Sequence, residues 1–258
     1  MSGILDIDNV SVQFGGVRAL SGVTLHVAEH EVFGVIGPNG AGKTTLFNCI
    51  SGFIKPLKEG GISFAGTSLV GMPVYRIAKI GIARTFQNIA LMRDQTVRMN
   101  LMVGLHLTLG YNPLAALLPS RRVAIDEAVA RQRVEKATDL LQISRGVLDQ
   151  RVGELPLGLQ KKVELAKAIV RDARLLLLDE PAGGLNDSET QALTRSIEIL
   201  RSQADMTIVL VDHDMNLVME VCHRIAVLDF GHLLITGDAA AVRRDPRVIE
   251  AYLGTRDA

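Results

Sequence analysis

Only two cysteines, Cys49 and Cys222, occur in 258 residues, far apart and without metal-ligand spacing. A disulfide framework is therefore excluded, and a reducing, cytosolic setting is expected. An excess of either charge is also missing: Lys+Arg and Asp+Glu both number 28, so the net charge is zero. Without a basic footprint there is no electrostatic case for nucleic acid or for an anionic membrane surface. Long apolar runs are missing too. The most apolar long stretch, Leu101 to Pro119, is interrupted by His106, Asn112, Pro113 and two glycines, which falls short of a transmembrane span. The opening carries Asp6 and Asp8 where a secretory signal would need a basic and then an apolar segment. Neither Ser2-Gly3 nor Arg256 to Ala258 forms a lipidation signal. No signal peptide, lipid anchor or membrane span is expected. Internal repeats and a Pro- or Gly-rich linker are likewise not found.

What is present is concentrated chemistry. Gly37, Pro38, Asn39, Gly40, Ala41, Gly42, Lys43 and Thr44 fit the phosphate-binding pattern G-x-x-x-x-G-K-[ST]. The glycines let the backbone turn tightly and aim its N–H groups at an anion. Lys43 can reach the β- and γ-phosphates, Thr44 can offer its hydroxyl to Mg²⁺, and Thr45 can touch the α-phosphate. The flanks suit this reading. Val32 to Ile36 reads as a buried strand, and Thr44 to Ser51 as a helix with Leu46, Phe47 and Ile50 inward and Gly52 as its stop. A helix N-terminus facing the loop favours an anion further. Binding of a nucleoside triphosphate is predicted.

A second element is Arg174 to Pro181, in which four leucines precede Asp179 and Glu180. The leucines predict a buried central strand, which delivers both acids to its C-terminal end, where ligands sit in open α/β sheets. Beside a phosphate-binding loop, Asp179 is placed to hold Mg²⁺ and Glu180 to orient or deprotonate the attacking water.

The organisation around these elements changes along the chain. Up to about residue 87 the pattern is of short strands and turns: Ile7 to Phe14, Leu20 to Val27, and Ile62 to Ala65 closing on Gly66. From Asn88 to about Ala173 it is helical, with Ala130, Val134, Ala137 and Leu141 at helical spacing and Glu127, Arg131 and Glu135 on another face. Strands return at Leu175 to Leu178, Thr207 to Val211, Ile225 to Leu228 and His232 to Thr236. A helix over Ser188 to Gln203 separates the first two. The expectation is one nucleotide-binding α/β core over 1–87 and 174–258, with a helical insert over 88–173.

In this order the motifs resemble the ATP-binding subunit of an ABC transporter, over nearly the whole chain. Phe14 matches the aromatic that stacks on adenine. The phosphate-binding loop follows, then Gln87, in Gly81 to Asn88, as the Q-loop glutamine that contacts Mg²⁺ or water. Leu155, Pro156, Leu157, Gly158 and Leu159 stand where the signature motif meets a partner's ATP. Gly183 to Asn186 matches the D-loop, and His213 the switch histidine near the γ-phosphate. The resemblance implies a P-loop NTPase (RecA-like) core with an N-terminal antiparallel β portion and a helical signature subdomain. It also implies ATP and Mg²⁺ as cofactors and face-to-face pairing with a second ABC ATPase subunit, identical or homologous. Two permease subunits would be the membrane partners, at the cytoplasmic face.

Two positions depart from the family pattern. Pro156 replaces the signature's usual serine, and Asn186 the D-loop's usual aspartate, with Asp187 beside it. Both bear on the half-site offered to a partner and leave this chain's own loop, acids and histidine intact. A narrower likeness lies in Gly81 to Asn88, Thr96-Val97 with Asn100 to His106, and Val248 to Gly254, which resemble the branched-chain amino acid importers' ATPases. Those importers also use an external binding protein. The lipopolysaccharide-export ATPase shares part of this look. A soluble ABC ATPase acting on ribosomes or DNA would carry basic patches or a second nucleotide domain. A P-loop kinase would leave Gln87, the signature region and His213 unexplained.

Overall fold

The structure, a computed structural model, describes residues 3–57, 59–85, 90–105 and 121–253, with backbone alone for 121–127 and 253. The chain opens as a hairpin, β1 (Leu5–Phe14) with β2 (Val17–Val27), pairing Leu5 with Val27 at one end and Phe14 with Val17 at the other, with register shifts between Ile7 and Gln13. After β3 (Val32–Ile36) and α1 (Lys43–Ile50) it returns to that sheet with β4 (Gly61–Phe64) and β5 (Thr67–Ser68), giving an antiparallel order β2-β1-β4-β5. Next come α2 (Val74–Lys79), the short strand β6 (Ile82–Arg84), and three helices, α3 (Val97–Leu105), α4 (Arg121–Leu140) and α5 (Leu157–Val170). Strand and helix then alternate: β7 (Leu175–Asp179), α6 (Asp187–Gln203), β8 (Thr207–Val211), α7 (Met215–Val221) and β9 (Arg224–Asp229). An antiparallel edge strand β10 (His232–Gly237) and the helices α8 (Ala239–Arg244) and α9 (Pro246–Leu253) follow. The second sheet has the order β10-β9-β3-β8-β7-β6, parallel throughout except at β10.

The leucine run explains why β7 lies inside that sheet. Successive side chains of a strand point to opposite faces, so a strand covered on both sides reads as a continuous apolar run. Leu175 and Leu177 join Phe33, Phe47 and Phe64 in the core between the two sheets and α1. Leu176 and Leu178 join Val163, Ile197 and Leu217 in the core under the helices. Burying each such side chain contributes about 1.5–3 kcal/mol relative to leaving it exposed.

Helices α3, α4 and α5 pack on one another through the spacing seen in the sequence. Ala130, Val134, Ala137 and Leu141 are buried, facing Val97, Leu101 and Leu105 of α3 and Val163, Ala166 and Val170 of α5. Buried Asn100 ties the preceding loop down, donating to the Met92 and Thr96 carbonyls and accepting from the Met92 N–H. Helix α5 begins at Leu157, inside the Leu155 to Leu159 segment. Pro156, at φ −53°, serves as its N-cap, and its carbonyl accepts from the N–H groups of Leu159 and Gln160. Among the described residues, no helix is long and apolar enough to cross a membrane.

Candidate nucleotide site

Strand order decides what meets at the site. β3, β8, β7 and β6 are consecutive neighbours, and strands in a sheet lie about 4.8 Å apart. Their C-terminal ends therefore set Gly37, Asp212-His213, Asp179-Glu180 and Arg84-Thr85 along one edge roughly 15 Å long.

The loop after β3 requires glycine at two tight points. Gly37 has φ +151°, and a Cβ there would stand 2.1 Å from the Leu228 carbonyl oxygen. Gly42 has φ +103°, and a Cβ would stand 2.6 Å from the Ala19 carbonyl oxygen. Any side chain at either point would push the loop off β9 or β2. The Lys43 Nζ donates to the carbonyls of Gly37 and Pro38 at 2.7 and 2.9 Å, inside the turn that Asn39, Gly40 and Ala41 complete. Burial lowers the Lys43 pKa, against the opposing fields of Glu180 and Asp179, which places both carboxylates near the ammonium. Thr44 and Thr45 follow in the first turn of α1, Thr44 exposed.

The base-side wall is tied to the same loop. The Gly231 N–H donates to the Ala41 carbonyl at 3.0 Å, and its own carbonyl accepts from Ser21 of β2 at 2.9 Å. The β1–β2 hairpin is thereby held beside the loop, with Phe14 at its tip 52% exposed, a ring free to be covered. From the far end of the chain, the Tyr252 phenol of α9 lies near the Gly37 backbone, and partial burial raises its pKa.

Asp179 is buried at the end of β7, and its Oδ2 accepts from Arg84 Nη2 at 2.7 Å. Glu180 is half-buried with φ +48°, a left-handed backbone that costs a non-glycine residue about 1–2 kcal/mol; its N–H donates to the Val211 carbonyl at 2.7 Å. His213 is exposed just beyond β8, with Nδ1 3.7 Å from the Asp212 carboxylate. Asp212 itself is buried and accepts from the N–H groups of Ala182 and Asp214 at 2.9 Å each, so one carboxylate joins the exit of β7 to that of β8. Gln87 lies outside the described residues. Just beyond it, the Ala90 N–H donates to Glu164, and its carbonyl accepts from Lys167, both on α5.

At the start of α5, Leu155 is buried and Pro156 exposed, while Leu157, Gly158 and Leu159 are partly covered. The Gly158 N–H donates to Glu189 Oε1 at 3.2 Å. The same Glu189 completes a capping box with Asn186, which accepts from the Glu189 N–H at 3.0 Å and N-caps α6. Asparagine thus fills the D-loop place as a helix cap, a task it performs as well as aspartate. Sequence reasoning missed Arg84, Asp212 and Glu189; only Asp212, beside His213 and Asp214, carried a local hint.

A divalent cation fits this edge. Thr44 and Asp179 supply hard oxygen donors, and no cluster of three or more His, Cys, Asp or Glu exists among the described residues. Two protein oxygens suit Mg²⁺, which keeps waters and shares substrate phosphates.

A phosphate-binding loop, an acidic strand end and a histidine strand end side by side, under a helical layer, define an ATP-binding cassette. The chain belongs to the ABC transporter family, whose model matches residues 20–183. It is the ATP-binding, ATP-hydrolysing subunit of such a transporter. A second model, described as a branched-chain amino acid ATP-binding cassette transporter, matches residues 236–258. The high-affinity branched-chain amino acid transport ATP-binding protein BraF of Pseudomonas aeruginosa is 39% identical over 251 residues, covering 97% of this chain and 98% of BraF. LivG of Escherichia coli K12, of the same description, is 41% identical over 256 residues, covering 97% and 98%. Among solved structures, an ABC transporter cassette in its ADP conformation superposes with a TM-score of 0.84 at 29% identity, covering 98% of this chain and all of that one. A dimeric cassette bound to ADP and Pi shares the fold, with a TM-score of 0.73 at 22% identity over 91% of this chain and 98% of that one.

Proposed function

We propose that this subunit powers an importer of branched-chain amino acids. It would work as one of two ATPase subunits beneath two permease subunits, with a periplasmic binding protein delivering the cargo. The observation that carries this is near-full-length similarity to BraF and LivG at about 40% identity, joined by the C-terminal match over α8 and α9. It favours this reading over the lipopolysaccharide-export and soluble alternatives.

In this proposal residues 1–87 and 174–258 form the nucleotide core, and 88–173 the helical subdomain. Phe14 stacks on the base, and the Gly37 to Thr45 loop with Lys43 holds the phosphates. Thr44, Asp179 and Gln87 hold Mg²⁺, which supplies charge neutralisation on the phosphates. Glu180 accepts a proton from the attacking water, and His213 steadies the γ-phosphate from the next strand end. Leu155 to Leu159 face the partner's ATP, with the Gly158 N–H as donor. Met99, Met102 and Val103 recur at helical spacing and are exposed on the outer side of α3. An apolar stripe of that kind suits a permease contact that would keep this subunit peripheral at the cytoplasmic face.

Deletion of the gene is expected to abolish uptake of radiolabelled leucine, isoleucine and valine, and to leave other solutes unaffected. Fractionation is expected to find the protein on membranes only when the neighbouring permease genes are present. Normal branched-chain uptake in the deletion strain would overturn the cargo. Tight membrane binding without permeases would overturn the mode of attachment.

The departure at Pro156 allows a second measurement. A serine hydroxyl donating to a phosphate would add about 1.5–3 kcal/mol, at least tenfold in rate. We expect Pro156→Ser to change the transporter's ATPase rate by less than about threefold. Pro156 already shapes the entry to α5, and the helix dipole remains to meet the phosphate, joined by the Gly158 N–H once it exchanges Glu189 for that phosphate. A tenfold gain would show that the missing hydroxyl is a real deficit.

A further inference from the structure

Arg84, on β6, is a buried cation of this edge, and its guanidinium ties that strand to β7 and α1. Nη2 reaches Asp179 Oδ2 at 2.7 Å, while Nη1 reaches Asn48 Oδ1 at 2.8 Å and Ser51 Oγ at 3.3 Å. The guanidinium carbon also lies 5.5 Å from the centre of the Phe47 ring. Phe47, Asn48 and Ser51 all belong to α1 or its C-cap, and α1 is the helix whose first turn carries Lys43, Thr44 and Thr45. Both members of the ion pair are almost wholly buried, at 8% and 9% side-chain exposure.

A buried ion pair is a weak device for stability, because desolvation offsets most of the attraction. This pair does something more specific. It fixes the carboxylate at the end of β7 against the helix that carries the hydroxyl of Thr44. A cation held by both Thr44 and Asp179 needs those two oxygens at a set separation, and among the described residues it is Arg84 that hydrogen-bonds the Asp179 carboxylate and so sets its orientation. With Oδ2 engaged by Arg84, Oδ1 is the oxygen that would turn to a metal. We propose that Arg84 is a positioning residue for Mg²⁺, locking Asp179 to α1 so that its second oxygen is presented to the metal. The inference rests on the reading of Asp179 as the metal acid.

A planar fork reaches two acceptors in fixed directions, whereas a lysine ammonium is a single point charge on a flexible stem. Arg84→Lys therefore keeps the charge and loses the lock. Asn48→Ala combined with Ser51→Ala keeps the arginine, leaves Asp179 untouched and frees the α1 end of the fork. The readout is nucleotide binding by the full chain, followed with a fluorescent ATP analogue, first in EDTA and then across a Mg²⁺ titration. Arg84→Lys is expected to raise the Mg²⁺ concentration at half-effect about tenfold, and the Asn48/Ser51 pair about threefold. Metal-free binding should stay within twofold for both, since neither touches the phosphate-binding loop.

A midpoint unchanged in both variants would overturn the proposal. So would a parallel loss of metal-free binding, which would mark Arg84 as a general support of the pocket. Arg84→Met gives a third check: a lowered midpoint would mean that the arginine competes with the metal for Asp179, which also overturns it. Asp179→Asn separates the two layers of the argument. If that variant keeps the parental Mg²⁺ dependence, the metal reading of Asp179 fails. If it loses that dependence while Arg84→Lys does not, only the role of Arg84 fails.

Discussion

Glu180→Gln is expected to cut ATP turnover by about 10²–10⁴-fold while leaving ATP binding within twofold, and to accumulate an ATP-bound dimer. The amide keeps the size and hydrogen bonding of the carboxylate but cannot accept a proton from water. The loop around Lys43 and the acid at Asp179 are untouched, so nucleotide still binds and the paired state has no exit by hydrolysis. Size-exclusion chromatography with and without Mg·ATP reads the dimer, and phosphate release reads the turnover. A variant that hydrolyses at the parental rate would sink Glu180 as the base.

Gly158→Asp should also be damaging, for an electrostatic reason visible at the start of α5. A Cβ at Gly158 would stand 3.0 Å from Glu189 Oε1 and 3.1 Å from its Cγ, so an aspartate there meets a carboxylate at once. It would also face the partner's phosphate with a negative charge. Two unit charges about 4 Å apart repel by about 1 kcal/mol in water and about 4 kcal/mol near a protein surface. The expected loss in the assembled transporter's ATPase is at least about tenfold, since 1.4 kcal/mol is a factor of ten. Nucleotide binding by the isolated subunit should be unchanged, because its own phosphate loop lies elsewhere. An active Gly158→Asp transporter would show that this segment does not meet a partner's ATP.

The parts of the molecule that were legible in the sequence are those encoded at short range. The strand, loop and helix from Val32 to Ile50 announce themselves by an apolar run, three glycines and a helical face, and all three elements form there. The leucines before Asp179 give β7, and the spacing of Ala130, Val134 and Ala137 gives the buried face of α4. What was not legible depends on distant partners. Arg84 touches Asn48, Ser51 and Asp179, which lie 36, 33 and 95 residues away, so nothing local marks it out from other arginines. Three residues of β6 are too few for periodicity, and the strand exists because β7 lies beside it. Glu189 reads locally as a helix-capping residue, which it is; its second contact, across 31 residues to Gly158, has no sequence signature.

The left-handed backbone at Glu180 carries a consequence for anyone who alters this gene. Only glycine, and to a lesser degree asparagine or aspartate, adopts that conformation cheaply, so the chemistry of the site and the comfort of the chain favour different residues there. A library sorted for thermal stability or expression would enrich Glu180→Gly, and would discard the proposed base in doing so. Heat resistance is therefore the wrong quantity to select at this position. Under a growth selection that demands transport, the strained glutamate is the residue that should persist.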